Sequence, residues 1–121
     1  MKHTVLIVDD SNLARLMMRN VISKNFHSWE IMEARNGTEA IQLATARQPD
    51  LALLDYNMPD MNGLDLALEL MQIHPQLQIF LVTANVQDAT RHRAEAAGVG
   101  FMTKPVNVDQ LEAAFLSQER I

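Results

Sequence analysis

Short apolar runs alternate with segments of helical periodicity along the whole chain, and this alternation restricts the fold more than any other feature. Three uninterrupted runs, Val5–Val8, Leu51–Leu54 and Ile79–Val82, are typical of strands that are buried on both faces of a sheet. Two further runs, Trp29–Ala34 and Val99–Met102, contain charged residues or glycine, which predicts edge strands. The pattern therefore predicts five short strands.

Five segments that follow these runs repeat apolar residues at the spacing of one face of an α-helix. The first begins after Ser11 and Asn12, which are favourable N-cap residues, and the fourth is alanine-rich and ends before Gly98. The apolar positions, helix by helix, are Ala14, Met17, Met18, Val21 and Ile22; Ala40, Leu43 and Ala44; Leu64, Ala67, Leu68 and Met71; Ala89–Ala97; and Val108, Leu111 and Phe115.

Strict alternation of strand and helix favours right-handed crossovers and a parallel sheet with helices on both faces, which is the doubly wound α/β class. A length of 121 residues suits one domain, so we expect a single domain over residues 1–121. In such open sheets, ligands bind beyond the carboxyl ends of the strands, where the winding direction switches. The functional residues are therefore expected at that edge.

The composition excludes several classes of function. The chain has no cysteine, which rules out disulfides, thiolate metal sites and thiol catalysis. Its 15 Asp and Glu residues outnumber its 10 Lys and Arg residues, so no basic face for nucleic acid is expected. No apolar run approaches the roughly 20 residues that span a bilayer, and the N-terminus lacks the pattern of a signal peptide. We expect a soluble, cytoplasmic protein with no direct binding to nucleic acid and no membrane insertion.

The residues that follow four of the predicted strands carry a charge or a hydroxyl group. Asp9 and Asp10 follow the first strand, Asp55 the third and Thr83 the fourth, while Lys104 lies two residues beyond the fifth. Each has an ordinary explanation when taken singly, because such residues also cap helices, occupy turns or lie in solvated loops. Taken together they favour a functional cluster, because the carboxyl ends of parallel strands meet at one edge.

Three carboxylates at close range repel one another and resist ionising together. A divalent cation relieves that repulsion, and oxygen ligands suit Mg²⁺, for which Mn²⁺ would substitute. Beside such a cation, a carboxylate can act as a nucleophile toward a phosphoryl group. Lys104 and the Thr83 hydroxyl are then natural partners for the phosphoryl oxygens. The residues alone therefore predict a Mg²⁺-assisted aspartyl phosphorylation site.

With these residues in view, the chain resembles the receiver domain of two-component response regulators, of the chemotaxis-regulator type, over essentially its whole length. The resemblance implies a flavodoxin-like (βα)5 fold with strand order 2-1-3-4-5. The motifs that carry it are Val8-Asp9-Asp10; Leu54-Asp55 with Met58-Pro59-Asp60-Met61-Asn62-Gly63; Thr83-Ala84; and Phe101-Met102-Thr103-Lys104-Pro105.

The resemblance also implies roles for individual residues around the phosphoryl group. Asp55 would be the phosphoacceptor, and Lys104 would pair with a phosphoryl oxygen. Asp10 and Asp55 would bind Mg²⁺ through their side chains. Asn57 would bind it through its backbone carbonyl, and Asp9 through a water molecule.

A second set of implied roles concerns the conformational switch. Thr83 would be the switch hydroxyl that turns toward the phosphoryl group, and Ala84 would leave it room. Phe101 occupies the aromatic switch position, where the family often has tyrosine, so no ring hydroxyl takes part in this chain. The Lys104–Pro105 peptide bond is expected to be cis.

The partners implied by the resemblance are proteins of a bacterial phosphorelay. A histidine kinase or a histidine phosphotransfer protein would donate the phosphoryl group, and the receiver would catalyse both its own phosphorylation and its own dephosphorylation. A downstream protein would bind the face formed by helix four, strand five and helix five, with the receiver a monomer or a phosphorylation-dependent dimer. No output domain follows the fifth helix, so we expect either a stand-alone receiver or a piece of a larger regulator.

Two asparagines bear on the lifetime of the phosphorylated form. Asn57 and Asn85 lie two residues after Asp55 and Thr83, at positions that vary in the family. Both side chains are short and polar, so we expect water to reach the phosphoryl group and the phosphorylated form to be short-lived.

The residues argue against three other interpretations of the chain. A receiver-fold binding module would signal without phosphorylation, but all five chemical positions are present. A flavin- or nucleotide-binding domain would place a Gly-, Ser- or Thr-rich loop where this chain has Asp9 and Asp10. A haloacid-dehalogenase-like phosphatase would need an aspartate at the position of Asn57.

Overall fold

A computed structural model describes residues 3–84 and 87–119, and within these ranges five strands alternate with five helices. The strands are β1 (His3–Val8), β2 (Trp29–Ala34), β3 (Leu51–Asp55), β4 (Gln78–Thr83) and β5 (Gly100–Thr103). The helices are α1 (Asn12–Asn25), α2 (Gly37–Ala46), α3 (Gly63–Ile73), α4 (Asp88–Ala97) and α5 (Val108–Glu119). The predicted alternation is therefore confirmed element by element.

The strands form one parallel sheet in the order β2-β1-β3-β4-β5, which confirms the doubly wound α/β fold. As their mixed sequences predict, β2 and β5 are the edge strands. The register aligns the carboxyl ends, since Val8 pairs with both Ala34 and Leu54, and Asp55 pairs with Val82. The residues that follow these strands therefore lie along a single edge.

The three central strands are buried on both faces, which explains their uninterrupted apolar sequences. Alternate residues of each strand belong to two separate cores. Leu6 and Leu54 pack with α2, α3 and α4, whereas Ile7 and Leu53 pack with α1 and α5. Each of these four side chains is fully buried, which contributes about 1.5–3 kcal/mol apiece.

Capping side chains begin four of the helices, as residues of their type predict. Ser11, Asn36, Asn62 and Asn107 each accept a hydrogen bond from the backbone N–H three residues on, at 3.1, 2.9, 2.8 and 2.9 Å. In contrast, α4 begins after Gln87, whose side chain makes no capping hydrogen bond. It ends at Gly98, whose φ of 83° lies in the left-handed region that glycine adopts without strain.

Two positions of the predicted apolar stripes face solvent instead of the core. Met17 is 53% exposed, although its neighbour Met18 is buried, because adjacent residues lie about 100° apart around a helix. Leu68 is 40% exposed because it lies about 160° around the helix axis from both buried Leu66 and buried Leu70. The expectation of core positions for these two residues is therefore wrong.

Within residues 3–84 and 87–119, the helices are all too short or too polar to cross a membrane.

Candidate functional site

Side chains from four strands meet at the carboxyl edge of the sheet. Asp9 follows β1 and Lys104 follows β5, while Asp55 and Thr83 are the last residues of β3 and β4. Two backbone hydrogen bonds extend the strand pairing up to this cluster. The Asp9 N–H donates to the Ala34 carbonyl at 3.2 Å, and the Lys104 N–H donates to the Thr83 carbonyl at 3.0 Å. Rigid elements therefore position the cluster.

Asp9 is buried at this edge, with a side chain only 1% exposed. Its Oδ1 accepts a hydrogen bond from the Ser11 backbone N–H at 2.9 Å, and its Oδ2 accepts one from Lys104 Nζ at 3.1 Å. Both carboxylate oxygens thus have a hydrogen-bond donor, as buried polar groups require.

Asp9, Asp10 and Asp55 lie together, as the sequence analysis grouped them. One carboxylate oxygen from each lies within 4.8 Å of those of the other two. Asp9 and Asp55 are buried, whereas Asp10 is exposed. The cluster therefore has a buried side within the protein and an open side toward solvent.

The Lys104 ammonium bridges the two buried acids. Its Nζ is 3.1 Å from Asp9 Oδ2 and 3.2 Å from Asp55 Oδ1. Burial by itself would lower the pKa of Lys104, but the hydrogen bonds and charges of Asp9 and Asp55 together outweigh burial and raise it. Lys104 is therefore protonated at neutral pH and serves as their counter-ion.

For the Asp55 carboxyl, in contrast, the effect of burial on the pKa prevails over the effect of Lys104. Burial is the main cause that raises its pKa above the ordinary value, and the negative charge of Asp9 raises it further. Lys104 and the Asn57 backbone N–H, which lies 3.4 Å from Asp55 Oδ1, act in the other direction without cancelling the rise. Asp55 therefore gives up its proton less readily than an ordinary aspartate when no metal is bound.

The donor set fits a hard divalent cation. Mg²⁺ and Mn²⁺ prefer carboxylate oxygens, and the site offers three. Three ionised carboxylates and one ammonium leave a local charge of −2, which one divalent ion would balance. The exposed side of Asp10 also leaves room for the water molecules that Mg²⁺ retains.

The other predicted site residues surround this cluster. Thr83 is 4% exposed, whereas Ala84 and Asn57 are exposed. The Lys104–Pro105 peptide bond is cis. Asn85, which we expect to affect the lifetime of the phosphorylated form, lies outside the described residues.

Phe101 links β5 to α4. Its ring is partly buried against the core that lies under α2, α3 and α4. The guanidinium carbon of Arg91 on α4 lies 5.7 Å from the centroid of this ring, which is a cation–π distance. Ala94 is the one buried residue of α4 and Ala97 is partly buried, so this contact adds to a sparse attachment of α4.

Arg15 is a site residue that the sequence analysis missed. Its Nη1 donates to the Asp9 backbone carbonyl at 2.5 Å, and its Nε lies 3.4 Å from Glu33 Oε1. The side chain is only 11% exposed. Its acceptor is a backbone carbonyl, which every residue type supplies, so the sequence carries no signal of the contact.

An apolar cleft of about 570 Å³ adjoins the Lys104 side of the cluster. It lies between α1 and the segment that follows β5, and its lining includes Met17, Val21, Pro105 and Val106. Leu13 and Leu16, elsewhere on α1, are 65% and 41% exposed. The acidic cluster therefore lies next to an unusually apolar stretch of surface.

The fold and this cluster define a class of protein that comparison with known families identifies. Residues 5–116 match the response regulator receiver domain, and the chain belongs to that family. Receiver domains of two-component systems interact with histidine kinases or phosphotransfer proteins.

Two of the relatives are chemotaxis proteins. The chain is 39% identical over 103 residues to the chemotaxis protein CheY of Thermotoga maritima, covering 84% of each chain. It is 34% identical over 113 residues to the chemotaxis protein CheY of Bacillus subtilis, covering 92% of each. A solved CheY-like receiver from Methanospirillum hungatei superposes with a TM-score of 0.90 at 24% identity, over 99% of this chain and 96% of that one, which supports the fold.

Proposed function

We propose that the protein is a phosphorylatable response-regulator receiver in which Asp55 accepts a phosphoryl group with the help of Mg²⁺. The environment of the Asp55 carboxylate carries this proposal. It is buried at the end of a central strand, contacts Lys104, and lies beside two more acids. A nucleophilic carboxylate, an ammonium for the phosphoryl oxygens and acids for a divalent ion are the groups that phosphoryl transfer uses.

The proposed donor is a phosphohistidine on a histidine kinase or histidine phosphotransfer protein. An Asp55 oxygen would form the new bond to phosphorus while the bond from phosphorus to the histidine nitrogen breaks, and the imidazole keeps that electron pair. Lys104 would exchange its contact with Asp55 for one with a phosphoryl oxygen while it keeps Asp9. In hydrolysis, water attacks phosphorus, inorganic phosphate leaves and the Asp55 carboxylate is restored.

The residues proposed to hold Mg²⁺ are the side chains of Asp10 and Asp55, the backbone carbonyl of Asn57, and Asp9 through water. When bound, Mg²⁺ (or Mn²⁺) supplies neutralisation of the charge that develops on the phosphoryl oxygens. The chain's own residues orient the nucleophile and exclude bulk water from one side of it, because Asp55 and Asp9 are both buried.

The proposed output is a change in the face formed by α4, β5 and α5, where a downstream protein would bind. Thr83 would turn toward the phosphoryl group, and Phe101 would rotate into the space that it vacates. Support comes from the sparse packing of α4 and from the Arg91 contact, which makes α4 sensitive to the position of the Phe101 ring.

The donor protein is proposed to dock on the exposed apolar residues of α1. Its phosphohistidine must approach the carboxyl edge, and the apolar cleft connects that edge to α1, because it is lined by both Lys104 and Met17. Leu13 and Leu16 would extend the contact. A protein partner with a complementary apolar helix face fits this surface.

Other features of the proposal concern the protein as a whole. We propose that residues 1–121 form one receiver domain acting in the bacterial cytoplasm, as a monomer or a phosphorylation-dependent dimer, either alone or within a larger regulator. We further propose a short-lived phosphorylated form, for which the exposure of Asn57 beside Asp55 is the supporting observation.

Intact-mass measurement after incubation with acetyl phosphate and Mg²⁺ tests the proposal. We expect one phosphoryl adduct in the wild type, and none in Asp55→Asn or after addition of EDTA. Asp65→Asn, which changes an exposed aspartate of α3, is the matched control and should retain the adduct. An adduct that persists in Asp55→Asn would move the acceptor elsewhere.

The alternative function is a receiver-fold binding module that signals without phosphorylation. The absence of any adduct with acetyl phosphate, with other small phosphodonors and with a phosphorylated kinase would favour it. The raised pKa of Asp55 and its contact with Lys104 speak for the phosphorylation proposal instead.

A further inference from the structure

Asp60 fastens the loop between β3 and α3 to the N-terminus of α2. Its Oδ1 accepts a hydrogen bond from the Gly37 backbone N–H at 3.1 Å. Its Oδ2 accepts hydrogen bonds from both the backbone N–H and the hydroxyl of Thr38, each also at 3.1 Å. The phosphorylation mechanism assigns no role to this residue.

The position suits an ionised carboxylate. The first N–H groups of a helix have no partner within the helix, and the helix dipole favours a negative charge beside them. Asn36 already caps α2 from within the chain segment that leads into it, so Asp60 is a second cap supplied by a distant loop. The hydrogen bond from Gly37 is the main cause that lowers the pKa of Asp60, which is therefore ionised at neutral pH.

A second contact fastens the same part of the loop. A Cβ atom on Gly37 would lie 2.7 Å from Met61 Cγ, so the loop lies directly against the backbone of α2. Met61 is partly buried against the core under α2, α3 and α4. The outer half of the loop is thus attached to α2 by hydrogen bonds and by packing.

The base of the loop is attached to the sheet. The Gly63 N–H donates to the Tyr56 carbonyl at 2.8 Å, and a Cβ on Gly63 would lie 2.5 Å from the Asp55 carbonyl oxygen. Asn57 and Pro59 lie between this base and Asp60. The ring of Pro59 fixes its φ, so anchoring both ends leaves the intervening backbone few conformations.

We propose that Asp60 is a positioning residue for the divalent cation, because it fastens the loop so that the Asn57 backbone carbonyl is held in place for the ion. The inference rests on the proposed function, since it takes Asn57 as a ligand. Without Asp60, the loop would have to be ordered when the ion binds, and that loss of conformational freedom weakens binding.

The test compares the dissociation constant for Mn²⁺, measured from the electron paramagnetic resonance signal of the free ion, across four proteins. Asp60→Ala should bind Mn²⁺ about tenfold more weakly than the wild type, at the low end of the effects of groups that orient metal ligands. Asp60→Asn keeps one acceptor oxygen and should be intermediate. Asp65→Ala removes an exposed carboxylate from the first turn of α3 and should stay within about twofold of wild type.

Thermal unfolding without metal separates positioning from simple stabilisation. A lower Tm for Asp60→Ala with an unchanged Mn²⁺ constant would overturn the inference, as would an equal loss of affinity in Asp65→Ala, which would trace the effect to charge. If Asp60→Ala does not fold, Asp60→Asn carries the same comparison. A wild type that binds no Mn²⁺ would overturn the proposed function together with the inference, whereas normal wild-type binding with an unaffected Asp60→Ala overturns the inference alone.

Discussion

The Asp55 carboxylate lies beside the negative charge of Asp9, and one ammonium, Lys104, is shared between them. The pKa of Asp55 is higher in the folded protein than in the unfolded chain. When the pH rises above the ordinary pKa of an aspartate, the folded protein therefore binds more protons than the unfolded chain. Stability therefore falls as the pH rises through this window. The residue proposed to accept the phosphoryl group is thus a source of instability in the metal-free protein.

We expect Asp55→Asn to stabilise the metal-free protein by about 0.5–2 kcal/mol at pH 7, the usual size of a stabilising substitution. The gain should shrink as the pH falls toward 4, because protonation of wild-type Asp55 removes the same repulsion. Urea unfolding in EDTA measures it. Saturating Mg²⁺ should reduce or reverse the difference, since the wild type then gains the free energy of ion binding. A gain that does not depend on pH would contradict this explanation.

Arg15 offers a second prediction for a single residue. Arg15→Ala removes a charged hydrogen bond to the Asp9 carbonyl and should destabilise the protein by about 1.5–3 kcal/mol. Arg19→Ala is the matched control, because Arg19 contacts the same Glu33 at 3.0 Å but is 47% exposed. The control should lose no more than about 1 kcal/mol in the same urea experiment. Equal losses would mean that Glu33, and not Asp9, accounts for the effect of Arg15.

Among the helices, α3 and α4 differ sharply in how they are attached. α3 buries five residues and begins at a capping asparagine, whereas α4 buries one residue and lacks a side-chain cap. Few buried contacts and no side-chain cap lower the free energy of local opening. α4 is therefore expected to exchange its amide hydrogens faster than α3.

The contact between Arg91 and Phe101 should contribute measurably to the stability of α4. A cation–π contact at a partly exposed site is worth about 0.5–1 kcal/mol, so Arg91→Ala should speed amide exchange in α4 about two- to fivefold. Arg93→Ala changes another exposed arginine of the same helix and is the control for lost charge. Hydrogen exchange followed by mass spectrometry distinguishes them. Equal acceleration in the two variants would show that the ring contact does not restrain α4.

At the scale of the whole molecule, an apolar cleft connects Lys104 of the acidic cluster to α1, where Leu13 is a further exposed apolar residue. Leu13→Ser should slow phosphoryl transfer from a protein donor at least about tenfold, the effect of losing a buried apolar anchor at an interface. Phosphorylation by acetyl phosphate should be unchanged, because that donor is too small to need the surface. Ile73→Ser, at the far end of α3 and 37% exposed, is the control. An equal loss with both donors would mean that Leu13→Ser impairs the transfer step itself and not the docking of the protein donor.

Most of the fold could be predicted because the central strands are buried on both faces, which leaves an apolar run such as Leu51–Leu54 in the sequence. The grouping of Asp9, Asp10 and Asp55 followed from the strand ends at which they stand. The exposure of Met17 could not be predicted in the same way. The angle between neighbouring positions on an amphipathic helix is smaller than the width of its apolar stripe, so the sequence does not show which of two neighbours is buried.

The contacts that escaped sequence analysis join residues through the folded structure. Asp60 accepts a hydrogen bond from Gly37, which lies 23 positions earlier in the chain. Arg15 donates to a backbone carbonyl, which every residue type supplies. Phe101 was recognised by its position, but its arginine partner was not, because an exposed arginine on a helix is usually solvated. Hydrophobic periodicity and the ends of the strands predict the layers of the fold and the sheet edge at which the site lies. Contacts between specific residues depend on how the elements pack together.

The bridge from Lys104 to Asp9 joins groups 95 positions apart, and Lys104 stands beyond the last strand. A growing or partly folded chain in which β5 has not yet docked would present the acids without their counter-ion. The proposed site would then be complete only once β5 has joined the sheet. In this sense the bridge couples completion of the proposed site to completion of the sheet.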